Sequence, residues 1–229
     1  MSLPLLISVP HAGLEVPHEV ESINLLTLQQ IIEDGDEGAA EMYAVEDYVQ
    51  QFVTTDIARA FVDMNRPESD RRSDGVVKTH TCWDVPVYRT PLTDEIVSIL
   101  LGRYYRPYHA RLRTPEAGIM LGLDCHTMAA VGPRIGPMPC QERPAICISN
   151  AGETCPSDWL ESMVDCFAAE FGRSVSVNFP FKGGYIVRSH AAEMPWMQVE
   201  ISRAPFMSWA EKRDCFLRAV TGWCDQIPH

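Results

Sequence analysis

The sequence has no apolar run approaching the roughly 20 residues that span a bilayer. Its apolar start, Met1 to Pro10, lacks a basic leader and a small-residue cleavage site, so it reads as a first strand rather than a signal peptide. Positive charge is scarce: 19 Lys and Arg stand against 31 Asp and Glu, a net charge of −12. A surface for phosphate backbones needs a basic patch, so nucleic acid is excluded as a partner, as is a membrane. No CxxC pair occurs among the eight cysteines, and the spacing of Cys140, Cys147 and Cys155 fits no zinc ribbon. They read as reduced thiols of a cytoplasmic protein. No G-x-S-x-G segment is present, which disfavours a serine-hydrolase elbow. Repeats, low-complexity tracts and linkers are also missing. The Pro/Gly-rich stretch from Gly132 to Pro144 reads as an excursion loop, leaving 1–229 as one domain.

What is present is ordinary globular material. The 229 residues are 46 % apolar and 22 % charged, enough for a substantial core. Short apolar runs alternate with helical patterns, which predicts an α/β layered fold. Strands are expected at 5–9, 60–64, 118–124, 145–149, 174–178 and 197–202, and helices at 37–52, 94–112, 158–171 and 209–225. Ser208 with Glu211 spells a capping box. Thr93 followed by Asp94 and Glu95 places an acceptor and two negative charges at a helix start. Gly172 stands where a left-handed cap would end the third helix, and Pro107 suggests a kink or stop in the second.

Residues capable of chemistry collect at the ends of the apolar runs, where open α/β sheets bind ligands. One run ends in Pro10-His11-Ala12-Gly13. Another, Gly122-Leu123-Asp124-Cys125-His126, ends in a histidine with an aspartate two residues earlier. Each histidine alone reads equally as a capping or packing residue. Two that end apolar strands point to a metal centre, since imidazole is a common zinc ligand and needs a second-shell acceptor to fix its tautomer. The acidic cluster Glu33-Asp34-Gly35-Asp36-Glu37 reads as a helix cap at Asp34, or offers a third ligand. In Met197-Gln198-Val199-Glu200-Ile201-Ser202, alternation puts Gln198, Glu200 and Ser202 on one face. On an exposed edge this means little; in a central strand, a buried Glu200 beside a metal-bound water would be a general base. Asn65 and Arg66 follow an apolar run, and a guanidinium grips a carboxylate bidentately. The segment from Phe179 to Arg188 joins a flexible Gly183-Gly184 to two cations, Lys182 and Arg188. His109 is either structural or site-facing. A Cys125 nucleophile beside His126 is formally available, although sequence neighbours on a strand point to opposite faces.

Taken in order, "SVPHAG", "DGDEGAAEMY", "ARAFVDMNRP", "RPYHARL", "GLDCHTM", "NFPFKGGYIVRSH" and "MQVEISRAPFM" resemble the N-formylglutamate amidohydrolase (deformylase) family, from about residue 6 to residue 207. The resemblance implies a three-layer α/β/α sandwich around a mixed sheet, zinc-carboxypeptidase-like. It implies hydrolysis of N-formyl-L-glutamate to formate and L-glutamate in a histidine-degradation route, with one zinc ion per chain. Carried over by position, His11, Asp36 and His126 would hold the metal, with Glu15 as the alternative carboxylate. Glu200 would be the catalytic carboxylate. Arg66, with Asn65, Arg134, Lys182 and Arg188, would bind the small anionic N-acyl amino acid. The match departs at Ser189-His190, where family members carry Tyr-Gly, and is loose from Arg134 to Asn150; both departures are expected to bear on specificity. Two alternatives stay open: the same chemistry on another N-acyl amino acid or small peptide, and a non-catalytic protein that binds an anionic metabolite.

Overall fold

The computed structural model describes residues 2–133 and 138–227. Six strands form one sheet in the order β2-β1-β3-β6-β4-β5. They are β1 (Leu3–Val9), β2 (Val49–Thr54), β3 (Leu121–Met128), β4 (Ile146–Ser149), β5 (Val175–Val177) and β6 (Trp196–Ser202). β2, β1, β3 and β6 run parallel, while β4 pairs antiparallel with β6 and parallel with β5, so the sheet is mixed as expected.

The two faces of the sheet carry different chemistry because side chains alternate along each strand. Leu5, Ile7 and Val9, Leu121, Leu123 and Cys125, and Met197, Val199 and Ile201 belong to one core. Against it pack α2 (Ala39–Met42), α5 (Ser157–Phe171) and α7 (Trp209–Gln226), through residues such as Met42, Phe167, Phe216 and Trp223. The opposite face holds Leu6 and Trp196 in a second core with Tyr105, Tyr108, Leu112, Ile186 and Val187. The last five lie on the helical run α3 (Asp94–Leu100) to α4 (Arg106–Arg113) and on α6 (Tyr185–Ser189). Helices on both faces make a three-layer α/β/α arrangement.

Local signals operate as the sequence implies. Ser208 and Glu211 form a reciprocal capping box, Thr93 accepts from the Ile96 amide, and Gly172 adopts a left-handed φ of 60° after α5. Pro107 neither stops nor breaks its helix. A π-turn at Leu101–Tyr105 precedes it and absorbs the missing donor, so the run continues to Arg113.

Four expectations need correction. The helix placed at 37–52 is the single turn of α2, a 3-10 turn at Glu46–Tyr48, and then β2. Parallel pairing with β1 captures Val49, Phe52 and Val53, whose branched and aromatic side chains suit a strand. No strand forms at 60–64; that apolar run is a turn segment with one bridge, Val62 to Val77, buried because it enters the second core. The strand placed at 118–124 begins at Leu121 and reaches Met128, so His126 lies within it. A further helix, α1 (Leu28–Asp34), opens on a Thr27–Gln30 capping box that went unread. Asp34 therefore ends a helix instead of capping one. It is buried, pairs with buried Lys78 at 2.7 Å and accepts the Cys82 amide at 2.6 Å.

In β3, a Cβ on Gly122 would fall 2.4 Å from the Trp196 indole. Overpacking of this kind costs about 1–3 kcal/mol. Gly122→Ala should lower the unfolding free energy by that amount, measured by urea denaturation with an unchanged m-value.

Candidate metal centre and active site

Strand register assembles the polar groups of the inward face into rows. Ser8 lies opposite Asp124, Asp124 opposite Gln198, and Gln198 opposite Ser149; one step on, His126 lies opposite Glu200 and Glu200 opposite Cys147. β6 is central, and Gln198, Glu200 and Ser202 are all buried, which removes the edge-strand reading of its alternation. His11 follows the end of β1 at the same carboxyl side, where its carbonyl accepts the Asp36 amide. That bond brings the loop after α1 over the sheet, with Asp36 beside both histidines.

His11, Asp36 and His126 are buried, and one ligand atom from each lies within 4.8 Å of the others. His11 Nε2 meets Asp63 Oδ1 at 2.8 Å, and His126 Nε2 meets Asp124 Oδ2 at 3.0 Å. Both Nδ1 atoms face Asp36 Oδ2, at 3.6 Å from His11 and 2.9 Å from His126. A carboxylate behind each imidazole holds the proton on Nε2 and leaves the Nδ1 lone pair for a metal. His11 Nδ1 is buried and has no hydrogen-bond partner among the described residues. A donor set of two imidazoles and a carboxylate, with one orphaned nitrogen aimed inward, fits a divalent cation.

The electrostatics agree. Burial opposes charge on both groups, yet the Asp124 and Asp36 carboxylates raise the His126 pKa well above that of ordinary imidazole. Burial likewise opposes ionisation of Asp36, and the His11 and His126 rings overcome it, holding its carboxyl well below the usual range. Asp63 is treated the same way by His11 and Arg59. Glu200 is pushed up to about 7 by burial, with His126 opposing and Asp36 adding to the rise. That value suits a proton-transfer group working near neutrality.

These groups line a cavity of about 670 Å³. Arg66 and Lys182 stand on its wall with Asn65. Arg66 is already 3.3 Å from Asp74 and 3.7 Å from Asp63. Lys182 is exposed and has no ion pair among the described residues. Arg188 is exposed on α6 and is not among the described residues of the cavity wall, because its helix packs through Ile186 and Val187. Arg134 lies outside the described residues. Glu15 is exposed beside the Ile57 bridge, away from the triad, so it is no alternative to Asp36.

The Ser189-His190 departure also lies elsewhere. His190 is buried on His109 Nδ1 at 2.9 Å, and His109 Nε2 meets the Met64 carbonyl at 2.9 Å. Both are structural, and burial depresses their pKa values. Cys125 points into the opposite core with its thiol pKa raised by burial, which removes it as a nucleophile.

The structure adds residues that the sequence did not single out. Arg59 joins Asp63 at 3.0 Å to the Asp34 carbonyl. Arg203 binds Thr127 and the Gly35 carbonyl beneath Asp36. Arg143 stacks 5.1 Å from the Phe181 ring on the cavity wall. Arg59 and Arg203 sit inside motifs quoted above, but nothing in their spacing announces an inward-facing guanidinium.

Fold and site together define a class: an α/β protein with a buried histidine–carboxylate cluster, at the carboxyl ends of parallel strands, that can hold a metal. The family model of N-formylglutamate amidohydrolase matches residues 3–207, and the chain belongs to that family of amidohydrolases. It is 26 % identical to the N-formylglutamate deformylase of Pseudomonas putida, over 91 % of this chain and 84 % of that protein. Identity to the N-formylglutamate deformylase of Pseudomonas aeruginosa is 27 %, over 90 % and 82 %. The fold is shared with N-formylglutamate amidohydrolase from Ralstonia eutropha JMP134, at a TM-score of 0.78, 22 % identity and coverage of 97 % and 92 %. It is also shared with the gene product Atu2144 from Agrobacterium tumefaciens, at 0.74, 17 %, 97 % and 89 %.

A ligand that binds only the folded state adds about 2.7 kcal/mol at one hundred times its dissociation constant. Zinc added to metal-stripped protein should therefore raise the melting temperature, and His11→Ala or His126→Ala should remove the shift.

Proposed function

We propose that this protein is a zinc-dependent, cytoplasmic amidohydrolase that cleaves N-formyl-L-glutamate to formate and L-glutamate, serving histidine degradation. The observation that carries the chemistry is the convergence of His11 Nδ1, His126 Nδ1 and Asp36 on one point, with Glu200 in the neighbouring register position. The substrate rests on family membership and on the deformylases the chain is similar to.

His11, Asp36 and His126 would hold the zinc, with Asp63 and Asp124 keeping both imidazoles in the ligating tautomer. Bound zinc acidifies a water and polarises a carbonyl. Glu200 would accept a proton from the attacking water and pass it to the departing amino nitrogen. The cavity wall supplies cations for the substrate carboxylates. Arg66 does so by exchanging its part-exposed partner Asp74, and Lys182 by swinging in from the rim.

Glu200→Gln keeps the shape and removes the base, so kcat should fall about 10²–10⁴-fold with KM nearly unchanged. Arg66→Ala should act the other way, raising KM more than it lowers kcat. Purified protein should carry zinc and turn over N-formylglutamate with a higher kcat/KM than other N-formyl or N-acetyl amino acids. Full activity in metal-free protein, or binding without turnover, would refute the proposal.

A further inference from the structure

Two side-chain amides on the cavity wall are committed at both ends. Asn65 Oδ1 accepts the Ile186 amide at 2.8 Å, which fixes the orientation of the carboxamide. Its Nδ2 therefore faces both Asp124 Oδ2 and His126 Nε2, each at 3.1 Å, where that same oxygen holds His126 Nε2. Gln198 repeats the arrangement on the next strand. Its Oε1 accepts the Gly184 amide, and its Nε2 donates to Glu200 Oε1 at 2.7 Å. Gly184 caps α6 and Ile186 lies in its first turn, where backbone amides have no partner inside the helix. Two orphan amides of one helical turn are thus satisfied by two side chains, each of which donates to a carboxylate of the site.

We propose that Asn65 and Gln198 are positioning residues that latch the first turn of α6 to the Asp124–His126 pair and to Glu200. The cavity wall at 181–184, a metal ligand and the base are then set as one unit. Asn65 acts through Asp124, not on substrate. The diglycine is a fit and not a hinge. A Cβ at Gly184 would fall 2.4 Å from Asn65 Nδ2, and one at Gly183, whose φ is +93°, would fall 2.9 Å from the Ala151 amide nitrogen. The reason for two different amides is geometric. Asp124 and Glu200 project from the same sheet face on adjacent strands, and only donors with a second acceptor end can hold a carboxylate while being held themselves.

The inference rests on the reading above for the roles of Glu200 and the zinc ligands, so its test uses two measurements that need no substrate. In the full-length protein, Gln198→Met, Asn65→Ala and Gly184→Ala are compared for kcat and KM on N-formylglutamate. Zinc affinity is measured by chelator competition, and hydrogen exchange is followed at the Gly184 and Ile186 amides. Gln198→Met should lower kcat about 10–100-fold, hold KM within about two-fold, leave zinc affinity unchanged and speed exchange at Gly184. Asn65→Ala should weaken zinc about 10–100-fold, the range for groups that orient a ligand from behind, and speed exchange at Ile186. Gly184→Ala, which displaces Asn65 without altering its chemistry, should reproduce the weakened zinc. A KM increase at constant kcat in Gln198→Met or Asn65→Ala would make that residue a substrate contact and overturn the inference. Wild-type zinc affinity in Asn65→Ala, or unchanged exchange, would do the same. If the unaltered protein fails to hydrolyse N-formylglutamate, the functional reading falls alone, and zinc affinity and exchange still decide the latch.

Discussion

Everything at the site depends on the parallel register between β3 and β6. Pairing His126 with Glu200 sets the imidazole and the carboxylate side by side without any loop having to bring them together. A slip of one residue would turn the slipped strand over, sending Asp124 and His126 of β3, or Gln198 and Glu200 of β6, into the core beside Phe167 and Phe216. The penalty for burying those polar groups without partners is what enforces the register. The apolar residues that make the fold stable and the polar residues that make it active are thus alternate members of the same strands.

Loops then complete what the strands begin. Asp36 reaches the cluster because its amide binds the His11 carbonyl and its carboxylate accepts the Thr127 amide at 3.1 Å. Asp63 is held by Arg59, which reaches on to the Asp34 carbonyl, while Asp34 is itself fixed by Lys78. These buried pairs carry a large desolvation cost, and breaking one leaves a stranded charge. Such a chain of pairs is weak evidence for stability but strong evidence for fixed geometry behind His11.

Much of this was legible in the sequence because it is local. Alternation in 197–202 names the buried face, histidines at the ends of apolar runs name two members of the buried cluster, and caps at Ser208, Thr93 and Gly172 name helix ends. What was illegible is long-range. Val49–Thr54 becomes a strand only because β1 is there to pair with it, and the run at 60–64 is buried by a second core instead of a sheet. Glu15 and Asp36 look alike as candidate carboxylates until the Asp36–His11 backbone bond separates them. Ser189-His190 reads in sequence as bearing on specificity, whereas in the fold His190 is buried against His109, behind Met64, with Glu193 and Trp196 beside it. Arg203 depends on Thr127 and the Gly35 carbonyl, 76 and 168 residues away, Arg59 on the Asp34 carbonyl 25 residues away, and Gln198 on the Gly184 amide 14 residues away, none of which a short motif reveals.

Charge balance bears on how an acidic chain could serve the anionic substrate proposed for it. Around the cluster lie Asp36, Asp63, Asp124 and Glu200, all buried. Arg59 compensates Asp63, and Arg203 approaches Asp36 Oδ1 only to 3.6 Å, its stronger bonds going to backbone and hydroxyl oxygens. The excess of negative charge from Asp124 and Asp36 raises the His126 pKa well above that of ordinary imidazole, and burial, with Asp36 adding to it, raises that of Glu200. Under the proposed function, a divalent cation held by His11, Asp36 and His126 would offset that charge and turn a centre that repels a carboxylate into one that attracts it. On that reading, the excess of acid that makes the chain look unsuited to anions is what would call for the cation, and the cation is what would admit the anion.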